Sequence, residues 1–291
     1  MNGILTPLIT PLLDQDTLDT DGLQNIIDHV ISGGVHGLFL LGTTGEGPSL
    51  SVSLRHEVVR QASKMIRGRL PFYVNVTGQS HTENLALAKE SAEAGASAVV
   101  YSGPLYAPIG QEALVGHVTR FAASCPLPIL LYNMPSHTHL FFEVPTVVAL
   151  SKLTNVIGLK DSSGDILYLQ KVHRAVGPKF PIFVGPEEML LQCLLTGACG
   201  GVNGGSNLMP HLYVEIYNAF RAKNFSEAER LQGIVNDLSD VVYGQGYLKG
   251  LKAAMSAKGL CKPNMAEPAT ALDGKLAGEI AEAIQNPKFA A

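Results

Sequence analysis

The sequence predicts a (β/α)8 barrel followed by a helical C-terminal extension. Three observations carry this. Eight strand–helix units follow one another in regular order between residues 4 and 222, the usual size for such a barrel. The strands are apolar runs and not alternating ones, as in a parallel sheet covered on its outside by helices. The first strand leads into Thr6-Pro7-Leu8, which bears no likeness to the glycine-rich fingerprint of a doubly wound dinucleotide-binding sheet.

Residues 4–6 form the first strand, closed by Pro7 and Pro11. Helical spacing over 23–32 follows, with Asp21 as its expected N-cap and Gly33-Gly34 as its stop. Residues 37–41 are a nearly all-apolar strand. The helix over 51–66 places Leu54, Val58, Ala62 and Met65 on one face. Strand 72–76 precedes helix 81–94, strand 96–101 precedes helix 111–124, and strand 128–132 precedes helix 144–153. The sixth strand begins at Val156, ends at Lys160 and is followed by helix 167–176. Strand 180–185 with helix 188–196, and strand 200–203 with helix 210–222, complete the series. Beyond Ala222 the pattern is helical only, over 225–238, 241–257 and 269–284, punctuated by Pro263, Pro268 and Pro287. No long flexible linker separates it from the barrel. The expected organisation is therefore a catalytic barrel over 1–222 and a helical extension over 223–291.

Composition excludes several functions. With 46% hydrophobic and 16% charged residues, 291 residues can bury a large core. The net charge of −4 comes without a basic block, so nucleic-acid binding has no electrostatic footprint. No apolar run approaches the roughly 20 residues of a membrane-spanning helix. The N-terminus lacks the basic and apolar regions of a signal peptide. Cys125, Cys193, Cys199 and Cys261 form no CxxC pair. Reduced thiols in the cytoplasm are the expectation.

Chemistry in such a barrel belongs at the C-terminal ends of the strands. There the sixth strand runs Val156-Ile157-Gly158-Leu159-Lys160, and Asp161 follows it. Burial disfavours an ammonium, so a lysine at the inner end of a buried strand drifts toward the free amine. A free amine adds to ketones and forms a Schiff base. A strand-end lysine that snorkels to solvent is the commoner alternative. Tyr132 ends the neighbouring strand, and a phenol beside an amine can relay protons; a buried structural tyrosine is the alternative. Gly42-Thr43-Thr44-Gly45-Glu46-Gly47 follows the second strand and suits a nest for a carboxylate, or an ordinary glycine turn.

These residues together carry a resemblance. Gly42-Thr43-Thr44-Gly45-Glu46, Tyr132-Asn133-Met134-Pro135 and Gly158-Leu159-Lys160-Asp161 stand in the order found in the dihydrodipicolinate synthase / N-acetylneuraminate lyase family of class I aldolases. The chain resembles that family over nearly its whole length. The resemblance implies a lyase whose Lys160 forms the Schiff base with pyruvate or another 2-oxo acid, and whose Tyr132 shuttles the proton. It implies that Thr43 and Thr44 hold the carboxylate, that Thr44 links the relay, and that Tyr106 completes it, commonly across a subunit interface. Gly185 and Asn203 match the family's lining positions after the seventh and eighth strands. It further implies a homotetramer of two dimers, a small-molecule substrate and no cofactor.

One departure bears on the substrate. Where the lysine-pathway synthases carry Pro-x-Arg-Thr, this chain has Pro135-Ser136-His137-Thr138. No other arginine falls on a loop expected at the barrel mouth, and histidine does not reproduce a bidentate clamp. Gly185-Pro186-Glu187-Glu188 resembles the segment with which sialic acid lyases hold substrate hydroxyls, and Asn203 is polar. His137, Glu188 and Asn203 are therefore expected to contact a hydroxylated substrate. The alternative for the glutamates is capping of the following helix. The reading is an aldolase for a hydroxylated 2-oxo acid such as 4-hydroxy-2-oxoglutarate, a 2-keto-3-deoxy sugar acid or N-acetylneuraminate. Its alternative is 4-hydroxy-tetrahydrodipicolinate synthase. A zinc aldolase using His137 and His139, or a barrel that only binds, are more remote.

Overall fold

The computed structural model describes residues 1–106 and 109–289. Residues 290 and 291, the end of the expected extension, lie outside them. Eight parallel strands close into a barrel in sequence order. They are β1 (Gly3–Pro7), β2 (Gly37–Leu40), β3 (Phe72–Asn75), β4 (Ala98–Tyr101), β5 (Ile129–Asn133), β6 (Val156–Asp161), β7 (Ile182–Val184) and β8 (Gly200–Val202). β8 pairs back onto β1, with Leu5 opposite Val202. Helices α1 (Thr20–Ser32), α2 (Val52–Ile66), α3 (His81–Glu93), α4 (Gln111–Ser124), α6 (Val144–Leu150), α7 (Ile166–Val176), α8 (Leu190–Leu195) and α9 (Pro210–Arg221) follow successive strands, with a short helix α5 (Pro135–Thr138) between β5 and α6. Helices α10 (Phe225–Tyr243), α11 (Tyr247–Ala257) and α12 (Gly274–Ala283) complete the chain.

Alternation of side chains along each strand divides the apolar residues into two cores. Leu5, Phe39, Tyr73, Val100, Leu130, Phe183 and Val202 point inward and fill the barrel. Their neighbours Ile4, Leu38, Val74, Val99, Leu131 and Leu159 point outward and pack under the helices, against residues such as Val58, Val118 and Leu169. Each strand is therefore buried on both faces, which is why its sequence reads as an unbroken apolar run.

Several boundaries differ from expectation for local reasons. Asp19, not Asp21, caps α1: its backbone is extended and its carboxylate accepts the Gly22 N–H. Asp21 lies inside the first turn. The helix expected over 188–196 begins as a 3-10 turn at Glu187–Met189 and becomes α-helical only at Leu190. The break expected near 239–240 falls instead at 244–246, where Gly246 has φ 106°, a conformation that favours glycine. The final helix starts only at Gly274, where the Asp273 carboxylate accepts two backbone N–H groups.

A buried ion pair ties the loop after β2 to α11. Lys252 is 0% and Glu46 3% exposed, with Nζ 2.5 Å from Oε1. The Ala266 N–H donates to the other carboxylate oxygen at 2.8 Å, and Lys252 donates to the Asn264 carbonyl. Lys252→Ala should destabilise the protein by about 3–5 kcal/mol, because it strands a buried carboxylate. Removing both charges as Glu46→Gln with Lys252→Met should cost much less. Denaturant melts of both variants read this; a Lys252→Ala variant as stable as the wild type refutes it.

Candidate active site

Parallel pairing of β5 with β6 sets Tyr132 directly beside Lys160. Both lie at the C-terminal ends of their strands and point into the barrel. Lys160 is 4% exposed. Its Nζ sits 4.2 Å from the centroid of the Tyr132 ring and 4.7 Å from that of Phe39. Burial among rings pulls the amine well below the ordinary lysine pKa, and the Tyr132 phenol offsets part of that shift. Just past the lysine, Asp161 accepts from Asn133 Nδ2 at 2.8 Å and from the Ser163 N–H and hydroxyl. Asn133 Oδ1 in turn accepts the Phe142 N–H. These bonds tie the ends of β5 and β6 together, so Tyr132 and Lys160 stand on a braced backbone.

A cavity of about 240 Å³ opens over the amine. Thr43, Thr44, Tyr132, His137, Gly185 and Glu188 all line it together with Lys160. The Thr43 hydroxyl meets the Tyr132 hydroxyl at 3.3 Å. The Thr44 hydroxyl meets Tyr247 at 2.9 Å. The hydroxyl that meets Tyr132 is thus that of Thr43, and Thr44 turns to a tyrosine that sequence reasoning had not singled out. Tyr106 is 88% exposed and lines a separate cleft, so within one chain it does not meet Lys160. Gly185 is glycine for a steric reason. A Cβ there would lie 1.9 Å from Ser162 Oγ.

His137 sits in α5, with Nδ1 3.0 Å from Ser136 Oγ. Burial and the nearby His139 hold its pKa below the ordinary value, so near neutral pH it is a neutral hydrogen-bonding group. His139 caps α5 in a left-handed conformation and lines the Tyr106 cleft. The two histidines thus line different cavities. Asn203 is fully buried and does not line the Lys160 cavity. Its Nδ2 donates to the Gly185 carbonyl at 2.9 Å, tying the ends of β7 and β8.

Glu187 behaves differently from its neighbour. Glu188 is exposed at the rim, whereas Glu187 is 3% exposed and forms part of the wall. Its carboxylate does not cap its own helix. It accepts from the hydroxyls of Tyr213 and Tyr243 and from the Gly205 N–H. Tyr213, Tyr243 and Tyr247 come from α9, α10 and the start of α11, outside the strand-end loops where sequence reasoning looked. The one signal available was the spacing of Tyr243 and Tyr247 around a glycine break.

No arginine lines this cavity among the described residues. A second chamber of about 290 Å³ shares Thr43, Tyr132 and His137 with it, and Thr77 lies on its far wall. Arg55 reaches closer to this region than its place on α2 suggested. It is buried, and its guanidinium donates to the Thr77 carbonyl at 3.1 Å.

Known proteins similar to this chain match it over nearly its whole length. The family model described as dihydrodipicolinate synthetase family matches residues 1–286. An uncharacterised DapA-like lyase of Halobacterium salinarum is 31% identical over 273 residues, covering 94% of this chain and 90% of its own. The solved dihydrodipicolinate synthase of Bacteroides thetaiotaomicron is 44% identical, with TM-score 0.95 and 98% of each chain covered. The prophage protein YagE of E. coli K12, solved in complex with pyruvate, is 25% identical, with TM-score 0.93 and 99% of each chain covered.

Burial raises the Glu187 carboxyl from 4.5 to about 7, against the pull of its hydrogen-bond donors. The folded state therefore keeps a proton that the unfolded chain releases. The resulting stabilisation is complete below about pH 4.5 and is lost as the pH rises through 7. Glu187→Gln removes this titration. Between pH 5 and pH 8 the variant should gain on the wild type by up to about 3 kcal/mol. Parallel curves of melting temperature against pH for the two proteins refute the assignment.

Proposed function

The chain belongs to the dihydrodipicolinate synthetase family and is a lyase, and from that premise we propose that it makes or breaks a carbon–carbon bond through a Schiff base between Lys160 and pyruvate or another 2-oxo acid. The observation that carries this is the Lys160 amine, stripped of water and set beside Tyr132 in a cavity at the C-terminal end of the barrel. The free amine adds to the C2 carbonyl, and the proton it releases ends on the carbinolamine hydroxyl. That hydroxyl takes a further proton from Tyr132 and leaves as water to give the protonated imine, and the C3 proton lost next returns that proton to Tyr132. Loss of a C3 proton gives the enamine, whose C3 bonds to the aldehyde carbon while the aldehyde oxygen takes a proton; cleavage runs the same steps backward. Water then releases the product and restores the amine. Tyr132 moves these protons, and Thr43 and Thr44 hold the substrate carboxylate. The bound pyruvate of YagE supports this assignment of substrate.

The aldehyde partner is hydroxylated in this reading. A cavity lined without arginine and with a neutral His137 offers no charged clamp for a second carboxylate. A lost charge-assisted pair is worth about 1.5–3 kcal/mol, roughly 10- to 150-fold in rate. His137 and Glu188 at the rim can instead bond hydroxyls, while Asn203 holds Gly185 in place. The second reading is 4-hydroxy-tetrahydrodipicolinate synthase. Its support is the name of relatives such as the Oceanobacillus iheyensis enzyme, 31% identical over 229 residues and covering 78% of this chain and 77% of its own.

One preparation tests both. Pyruvate with borohydride should add a single adduct per chain, on Lys160, and Lys160→Ala should abolish it. The same preparation is then assayed for condensation with aspartate semialdehyde and for cleavage of 4-hydroxy-2-oxoglutarate, 2-keto-3-deoxygluconate and N-acetylneuraminate. An adduct elsewhere, or none, sinks the mechanism. The highest kcat/KM with the semialdehyde sinks the hydroxylated-substrate reading and leaves the synthase.

The reading also includes a cytoplasmic homotetramer of two dimers, with Tyr106 completing a neighbour's site. The exposure of Tyr106 and four unpaired cysteines support it. Sedimentation at micromolar concentration should show no monomer; a fully active monomer refutes the assembly.

A further inference from the structure

We propose that Tyr247 is a positioning residue of the site. Its hydroxyl orients the Thr44 hydroxyl from within the same chain. This rests on the Schiff-base reading above and adds a residue to it. Tyr247 is the first residue of α11 and lines the Lys160 cavity. Its hydroxyl lies 2.9 Å from that of Thr44, which is buried. Burial pushes its pKa well above the ordinary tyrosine value, so it stays protonated. With Tyr247 donating, the Thr44 hydrogen is free to point at the substrate carboxylate.

The surrounding chain is shaped to admit this phenol. A Cβ on Gly204 would lie 1.8 Å from the Tyr247 hydroxyl, and one on Gly205 would lie 2.0 Å from the Tyr213 hydroxyl and 2.4 Å from Glu187 Oε1. Two consecutive glycines after β8 thus make room for two phenols and a carboxylate. The helix break at Gly246 turns the Tyr247 hydroxyl toward Thr44, while the residue as a whole stays 36% exposed. Its ring then packs 4.7 Å from that of Tyr243, whose hydroxyl is held by Glu187. Five residues along α11, Lys252 pairs with Glu46, two residues past Thr44. The Thr44–Tyr247 and Glu46–Lys252 contacts are two rungs between the same loop and the same helix. The ion pair sets the distance, and the phenol sets the direction of the threonine hydroxyl.

The test is a double-mutant cycle. Tyr247→Phe keeps the ring and removes only the hydroxyl. The variant should melt close to the wild type and still trap pyruvate on Lys160. Its kcat/KM for pyruvate should fall about tenfold, the scale of one lost hydrogen bond. On a Thr44→Val background the same change should cost less than about twofold, because its object is already gone. Equal losses in both backgrounds, or no loss in either, overturn the proposal, since a merely structural tyrosine acts the same with or without Thr44. Absence of an adduct in the wild type sinks the Schiff-base reading and this role with it. A wild-type adduct with unchanged Tyr247→Phe kinetics sinks only the role of Tyr247.

Discussion

The constraint on which the rest of the site depends is the cost of burying the Lys160 amine. An ammonium ion loses hydration when it is enclosed, and nothing within the barrel returns that energy in full. The aromatic faces of Tyr132 and Phe39 offset part of it. Among the described residues no carboxylate is paired with the amine, in contrast with Lys252, which is just as buried and is held by Glu46. Burial lowers the pKa of both lysines. Glu46 offsets part of that cost at Lys252, while Lys160 lies against aromatic faces, and the reading proposed above makes it the reacting amine.

Rigidity at the mouth comes from polar bonds made below and beside the cavity. Asn133 and Asp161 clamp β5 to β6. Asn203 clamps β7 to β8 through the Gly185 carbonyl. Glu187 gathers two tyrosines and a backbone N–H behind the wall. Each of these groups is buried and would be costly unpartnered. Through these bonds they tie together the strand ends that carry Tyr132, Lys160 and Gly185, although the buried Asn203 Oδ1 is left without a partner.

The helices after the barrel are part of the site's construction. Helix α11 brings Tyr247 to the cavity and Lys252 to the loop after β2. Helix α10 brings Tyr243 to Glu187. A boundary drawn between a barrel at 1–222 and an extension at 223–291 therefore separates residues that share one wall. Behind the exposed Glu188 at its rim, that wall carries phenols, hydroxyls, a histidine of lowered pKa and a carboxyl raised toward neutrality.

The sequence by itself determined the barrel, because eight apolar runs at regular spacing can be buried on both faces in few other ways. It also determined the end of β6 as the place to look, since a lysine closing an apolar strand is a local and readable conflict. The partners of the reactive groups were another matter. Thr43 and Thr44 are adjacent in sequence, yet their hydroxyls turn to Tyr132 and Tyr247, which lie 89 and 203 residues away. Glu187 and Glu188 are equally acidic in sequence, and only the packing of α9 and α10 buries one and leaves the other at the rim. Local patterning is set by neighbours a few residues apart, so it can be read along the chain. Which buried polar groups satisfy one another is decided by contacts across the barrel mouth, and these exist only once the sheet has closed.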